Sequence, residues 1–255
     1  MDFSSILTPE VYDQAAFLAR EIAAGMLERL QWMTLQPTQV LDVGCGTGMD
    51  MQRLAERYPQ AQIWGMDLAQ SFVNYGKKQR TGRLAWAVAD GPSLPLRSHS
   101  VDLIFANLLL PYVEQPAVLL REWRRVLRPN GLLLFSCLGP DTCKEWQGVE
   151  KNCLIPYLAD LHNIGDALVE QGFADPVLEV ENLQLVYRGT ALGCEELVKN
   201  GIRTPDAPVM EWTPHEGAYP LTFEVVYAHA FCPATKGFKP DAQGVVKIPI
   251  SQLKK

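Results

Sequence analysis

Short runs of apolar strand formers alternate along this chain with stretches whose apolar residues recur near the 3.6-residue helical period. The first such stretch predicts a helix over 9–35. Thr8 suits its N-cap, Pro9 its first turn, and Ala15, Leu18, Ile22, Met26, Leu27 and Leu30 share a face before Pro37 ends it. Apolar runs then predict strands at about 40–43, 62–67, 84–89, 101–106 and 132–137. Between them fall predicted helices at 49–57, from about 69, and at 116–128, with Pro129-Asn130-Gly131 as a turn. This alternation implies an α/β fold, a doubly wound, Rossmann-like parallel sheet. Beyond it, 140–172 reads as largely helical, 177–187 alternates like a half-exposed strand, and 221–228 is the last clear strand. Those two late strands would complete a seven-stranded sheet with an antiparallel edge.

The join at 40–48, Val40-Leu41-Asp42-Val43-Gly44-Cys45-Gly46-Thr47-Gly48, carries the chemistry. Glycine lets the chain turn sharply out of a strand and lets a ligand lie against bare backbone, while the following helix aims free N–H groups into the crevice. The spacing is not the G-x-G-x-x-G of a pyrophosphate cradle, and no Lys-Ser/Thr follows to make a P-loop. With Asp42, the form D-x-G-x-G-x-G resembles motif I of the class I S-adenosylmethionine (SAM) methyltransferases. The alternative is a tight strand–helix turn in a dehydrogenase or an unliganded α/β protein.

Two strand tips support the nucleoside reading. Asp67 lies 23 residues beyond Gly44, near the separation of a ribose-binding acid, and a carboxylate can accept from both vicinal hydroxyls. It also suits the N-cap of the next helix, and the two roles are compatible. Asp90, followed by Gly91, can accept from an exocyclic adenine amine, and Leu68 can cover a ring face. Asn107 sits at the crevice end of the fourth strand. The expected cofactor-binding set is Asp42, Gly44, Cys45, Gly46, Gly48, Asp67, Leu68, Asp90, Gly91 and Asn107.

At 255 residues and 47% hydrophobic, the chain is long enough for one large domain. A net charge of −6 argues against a general nucleic-acid binder. Cys45, Cys137, Cys143, Cys153, Cys194 and Cys232 show no C-x-x-C pair and no metal-like spacing, so reduced thiols and no metal are expected. No run of apolar residues is long enough to span a membrane and no signal-like start is present, so a soluble, cytoplasmic protein is expected.

Several stretches go beyond motif I. Tyr12-Asp13-Gln14-Ala15-Ala16-Phe17-Leu18-Ala19-Arg20-Glu21, Leu35-Gln36-Pro37, Phe135–Thr142, Asp160–Leu168 and Tyr219–Tyr227 are similar to the biotin-pathway malonyl-[acyl-carrier-protein] O-methyltransferases. The resemblance covers nearly all of 10–232. It implies a single methyltransferase domain over 1–232, with a helical cap at 9–35, a SAM-binding core at 38–138, and an acceptor-side insertion with the last strands at 139–232. The tail 233–255 would be loosely held. It further implies SAM as cofactor and methyl transfer to the free carboxylate of malonyl-acyl carrier protein in early biotin synthesis.

A carboxylate is already ionised at neutral pH, so no general base is required. A hydroxyl or cation would hold it. Tyr12 and His162 are the catalytic candidates; the alternatives are a Tyr12 packed on the sheet edge and a His162 that only satisfies a helix N-terminus. Arg188 and Arg203 are the substrate-binding candidates, with surface arginine as the alternative. Arg121, Arg125 and Arg128 fall on one helical face that could steer an acidic carrier protein, and Lys77, Lys78, Arg80 and Arg83 form a competing patch. The chain departs from the family at Ala19, at Val198 (where the family carries a basic residue) and in a shorter segment after Arg203. Another small-molecule acceptor, or a SAM-binding homologue without activity, therefore stays open.

Overall fold

The computed structural model describes residues 7–113, 115–146, 158–207 and 209–234. The expected helical structure at 147–157, Cys153, and the tail beyond Ala234 lie outside the described residues.

Seven strands form one sheet in the order β3-β2-β1-β4-β5-β7-β6. They are β1 (Gln39–Val43), β2 (Gln62–Asp67), β3 (Leu84–Val88), β4 (Val101–Ala106), β5 (Leu127–Leu138), β6 (Ala174–Tyr187) and β7 (Tyr219–Phe231). Strands β1 to β5 pair in parallel, and β7 alone runs against its neighbours β5 and β6. The antiparallel strand thus lies one place in from the edge, which β6 occupies. Successive residues of the central strands face opposite sides. Val40, Leu103 and Leu134 enter one core with α2 (Phe17–Arg29), α3 (Met49–Arg57) and α7 (Thr190–Lys199). Leu41, Ile104 and Phe135 enter the other with α5 (Pro116–Val126) and α6 (Leu161–Glu170). Burial on both faces explains the near-continuous apolar runs of these strands.

Two expectations are corrected. The helix expected over 9–35 divides at Ala16 into α1 (Pro9–Ala15) and α2, followed by a 3-10 turn at Leu30–Trp32. Apolar spacing runs on across the break, but Ala16 takes ψ 47° and the Arg20 guanidinium caps α1 by donating to the carbonyls of Asp13 (2.8 Å) and Gln14 (3.2 Å). The turn expected at Pro129-Asn130-Gly131 lies within β5, as an irregularity between the pairings Val101↔Leu127 and Leu103↔Leu132, with Asn130 at φ 65°.

Two of the stretches that carry the resemblance, Phe135–Thr142 and Tyr219–Tyr227, touch each other. Asp141 N–H donates to Glu224 Oε2 (2.7 Å), Cys143 N–H to the Thr222 carbonyl (2.7 Å), and Thr222 binds the Glu145 carboxylate through its N–H and hydroxyl. The segment after β5 is thereby fastened to β7. The five described cysteines are buried and free.

Candidate active site

The carboxyl ends of β1, β2 and β4 open into a cleft of ≈ 470 Å³, where ligands bind in open parallel sheets. At its floor the chain leaves β1 through Gly44, Gly46 and Gly48 at φ +74°, +52° and +76°. These values strain any residue with a side chain, which is why glycines stand here. Gly44 and Gly46 line the cleft; Gly48 instead lies against the Trp86 indole, which fills the space a Cβ would need.

Asp67, at the tip of β2, is fixed from two sides. Its Oδ2 accepts from Gly46 N–H (2.8 Å) and its Oδ1 from Ala69 N–H (2.8 Å). A carboxylate oxygen can accept more than one hydrogen bond, so both can also accept from a ligand hydroxyl. It lines the cleft with Leu68, Asp90 and Gly91, and Leu68 and Asp90 are exposed enough for a ligand to cover them.

Asn107, at the tip of β4, is held by its whole amide. Its Oδ1 accepts from the Ser136 hydroxyl (2.9 Å), while Nδ2 donates to the Ala19 carbonyl (2.8 Å) and to Asp50 Oδ2 (3.1 Å). Leu108 follows at φ 56°, its N–H donating to Ser136 Oγ (2.9 Å). Such backbone strain beside a cleft marks a constrained site.

Asp42 does not line the cleft. It is 1% exposed behind the glycine corner, and its Oδ2 has no partner among the described residues. Burial, then the charges of Asp50 and Asp67, push its carboxyl well above the usual range. Burial likewise pushes Asp50 up to about 6, against the opposing pull of Asn107, Arg53 and Arg80. Three acids thus crowd one corner, an arrangement that a cationic ligand would relieve. Burial also raises the Cys45 thiol, which does not line the cleft but stands inert in the core behind it.

These observations fit SAM. The glycine corner offers bare backbone, Asp67 a ribose acceptor, Asp90 an amine acceptor, and the acidic corner suits a sulfonium and an ammonium. The cleft volume falls in the range of small-molecule sites.

The rest of the cleft wall is built from elements outside the alternating core. Tyr12 of α1 is half-buried, with its ring 5.6 Å from Phe72 and beside Gly46. Burial, then Asp50 and Asp67, raise its phenol, so it stays protonated and can donate. Tyr112 stands nearby, its phenol also raised by burial and by Tyr12, and its O–H donates to the Gly201 carbonyl (3.2 Å). Asn200 and Ile202 flank that carbonyl and line the cleft.

Of the other residues expected here, His162 is exposed at the start of α6, its backbone N–H donating to Asp160 Oδ1 (2.9 Å); it does not line the cleft. Arg188 is exposed beyond β6 and also stands outside the lining. Arg203 is 3% exposed and donates to the Ala207 carbonyl (2.7 Å), behind the wall rather than in it.

The arginine stripe is taken up locally. Arg125 pairs with Glu122 (2.7 Å), Arg128 with Asp102 (2.7 Å), and Arg121 reaches Gln171 (3.4 Å). Arg80 is drawn onto Asp13, leaving Lys77, Lys78 and Arg83 exposed. Sequence reasoning missed Asp50, Tyr112 and Asn200. Only the position of Asp50 in the first turn of α3 was a usable signal.

Comparison with known proteins agrees with this geometry. A family model described as "Methyltransferase domain" matches residues 41–135. A malonyl-[acyl-carrier protein] O-methyltransferase of Gallionella capsiferriformans is 36% identical, covering 89% of this chain and 88% of its own length. One from Laribacter hongkongensis is 37% identical over 88% and 86%. The fold is similar to that of Haemonchus contortus phosphoethanolamine N-methyltransferase 2, solved with S-adenosyl-L-methionine, at TM-score 0.60 and 18% identity over 88% of this chain and 56% of that one. With more than a third of its residues shared along almost its entire length, and with an acid-lined glycine corner at its centre, the chain belongs to the malonyl-[acyl-carrier protein] O-methyltransferase family and is a SAM-dependent methyltransferase.

Proposed function

We propose that this enzyme methylates the free carboxylate of a malonyl group carried as a thioester on acyl carrier protein, giving the methyl ester at an early stage of biotin synthesis. The supporting observation is the make-up of the cleft wall. The titratable side chains among its described lining residues are Asp67, Asp90, Tyr12 and Tyr112, with no His, Lys, Arg or Cys. A hydroxyl or amine acceptor must lose a proton during transfer, whereas a carboxylate arrives ionised. A described wall whose neutral phenols stand without a His, Lys or Cys suits the carboxylate.

SAM supplies an electrophilic methyl on a sulfonium. The chain's own residues orient and dehydrate. Asp67, locked by the N–H groups of Gly46 and Ala69, holds the ribose, while Asp50, bonded to the cleft-lining Asn107, sets negative charge near the cation. The Tyr12 hydroxyl donates to the acceptor carboxylate and holds it in line. Leu18, Ala19, Val113 and Ile202 exclude water, so that alignment rather than proton transfer lowers the barrier.

Incubating the protein with SAM and malonyl-acyl carrier protein should add one methyl mass to the acyl group. A succinyl or acetyl carrier protein should react poorly or not at all. Turnover of a phenol or amine, with none on malonyl-acyl carrier protein, would refute the assignment.

A further inference from the structure

Helix α1 carries Tyr12 but, among the described residues, has almost no apolar hold on the protein. It contains no buried residue, and neither large core reaches it. Its apolar attachment is a small separate cluster, in which Tyr12 lies against Leu7, Ala69 and Phe72. Polar groups do the rest. Asp13, one residue beyond Tyr12, accepts at Oδ1 from the Thr47 hydroxyl (2.5 Å) and from the Arg80 guanidinium, while Arg80 Nε donates to the Thr47 carbonyl (3.2 Å). The paired side chains are only 17% and 18% exposed, so water competes weakly for them. One carboxylate therefore joins α1 to the glycine corner and to the C-terminal end of α4 (Gln70–Gln79).

We propose that Asp13 is a positioning residue: it clasps α1 over the cofactor end of the cleft, holding Tyr12 in place and retaining the bound nucleoside. Tyr12 lines the same cleft as Gly46, Asp67 and Ala69, so the cofactor leaves freely only when α1 lifts. An element with so little buried apolar surface opens by itself, without unfolding the sheet. The charge-assisted bonds of Asp13 set how rarely that happens.

The test needs no methyl acceptor, so it stands or falls separately from the acceptor proposed above. Tritiated SAM is bound to the intact protein and chased with excess S-adenosylhomocysteine. Asp13→Ala should speed release by roughly tenfold or more, the scale of losing charge-assisted hydrogen bonds. Arg80→Ala, which breaks the same junction from the other side, should do likewise. Amide exchange should rise at residues 9–15 while β1, β4 and β5 keep their protection. Release within about twofold of wild type in both variants would overturn the proposal, as would exchange rising equally in the central strands.

Discussion

Replacing Asp67 with asparagine tests the site at its most exposed assumption. The substitution preserves shape but not hydrogen-bonding sense. Both carboxylate oxygens now accept from backbone N–H groups, those of Gly46 and Ala69, each at 2.8 Å. The amide can satisfy one and must turn its NH₂ towards the other, setting donor against donor. Since the position is only half-buried, water relieves part of this, and about 1–2 kcal/mol of stability should go. For a chain of this size that lowers Tm by about 2–8 °C. The ribose hydroxyls lose charge-assisted acceptors as well, costing about 2–3 kcal/mol of SAM affinity, or roughly 30- to 150-fold in Kd. Asp67→Ala should bind SAM as poorly yet cost the fold less, because it introduces no opposed donor. Calorimetric titration with SAM and a thermal melt of the free protein separate the two effects. If Asp67→Asn binds SAM within about threefold of wild type while melting early, the carboxylate serves only the turn and the ribose role is wrong.

Tyr12→Phe should slow methyl transfer by roughly 10- to 100-fold with SAM affinity little changed, the loss of one hydrogen bond to a charged acceptor; equal losses in both would make the phenol structural. Because burial raises the folded pKa of Asp50 to about 6, above its unfolded value, its contribution to stability is fully present below about pH 4 and is lost as pH rises through about 6. Urea denaturation of the cofactor-free protein should show that decline, and Asp50→Asn should flatten it; an unaltered slope would assign the effect elsewhere. SAM, as a cation, should bind more tightly above pH 6 than below it in the wild type, and this too is read by titration. Gly48→Ala combines a Cβ at φ +76° with a clash against the Trp86 indole and should destabilise by roughly 2–5 kcal/mol, measured by denaturation; a stable variant would mean the corner has another conformation available.

What the sequence discloses here is what neighbouring residues decide. The glycine corner, the strand tips bearing Asp67 and Asp90, and Asn107 follow from runs of a few residues and from the direction of the strands, and all of them reach the cleft. Helical spacing also finds Arg121 and Arg125 correctly, but their fates depend on Gln171 and on the loop at 94–98, far away in the chain. The break at Ala16 is hidden for the same kind of reason: what stabilises it is a guanidinium one turn into the next helix, and the apolar period does not register it. Tyr112 and Asn200 come together only because Gly201, 89 residues from Tyr112, folds back against the turn after β4. Asp50 looks like an ordinary first-turn helical acid until its burial against Asn107 is visible.

The position of β7 bears on how the chain reaches its folded state. Strand β6 is translated first, yet among the described residues it pairs only with β7, through a register running from Ala174↔Phe231 to Tyr187↔Tyr219. On the ribosome, the parallel half from β1 to β5 can condense while β6 waits with both rims open, a template for aberrant pairing with other nascent chains. The nucleoside half therefore has its scaffold early, and the outer edge of the sheet is completed only when β7 arrives. A nonsense codon anywhere before 219 should leave sticky, aggregating fragments rather than a smaller enzyme.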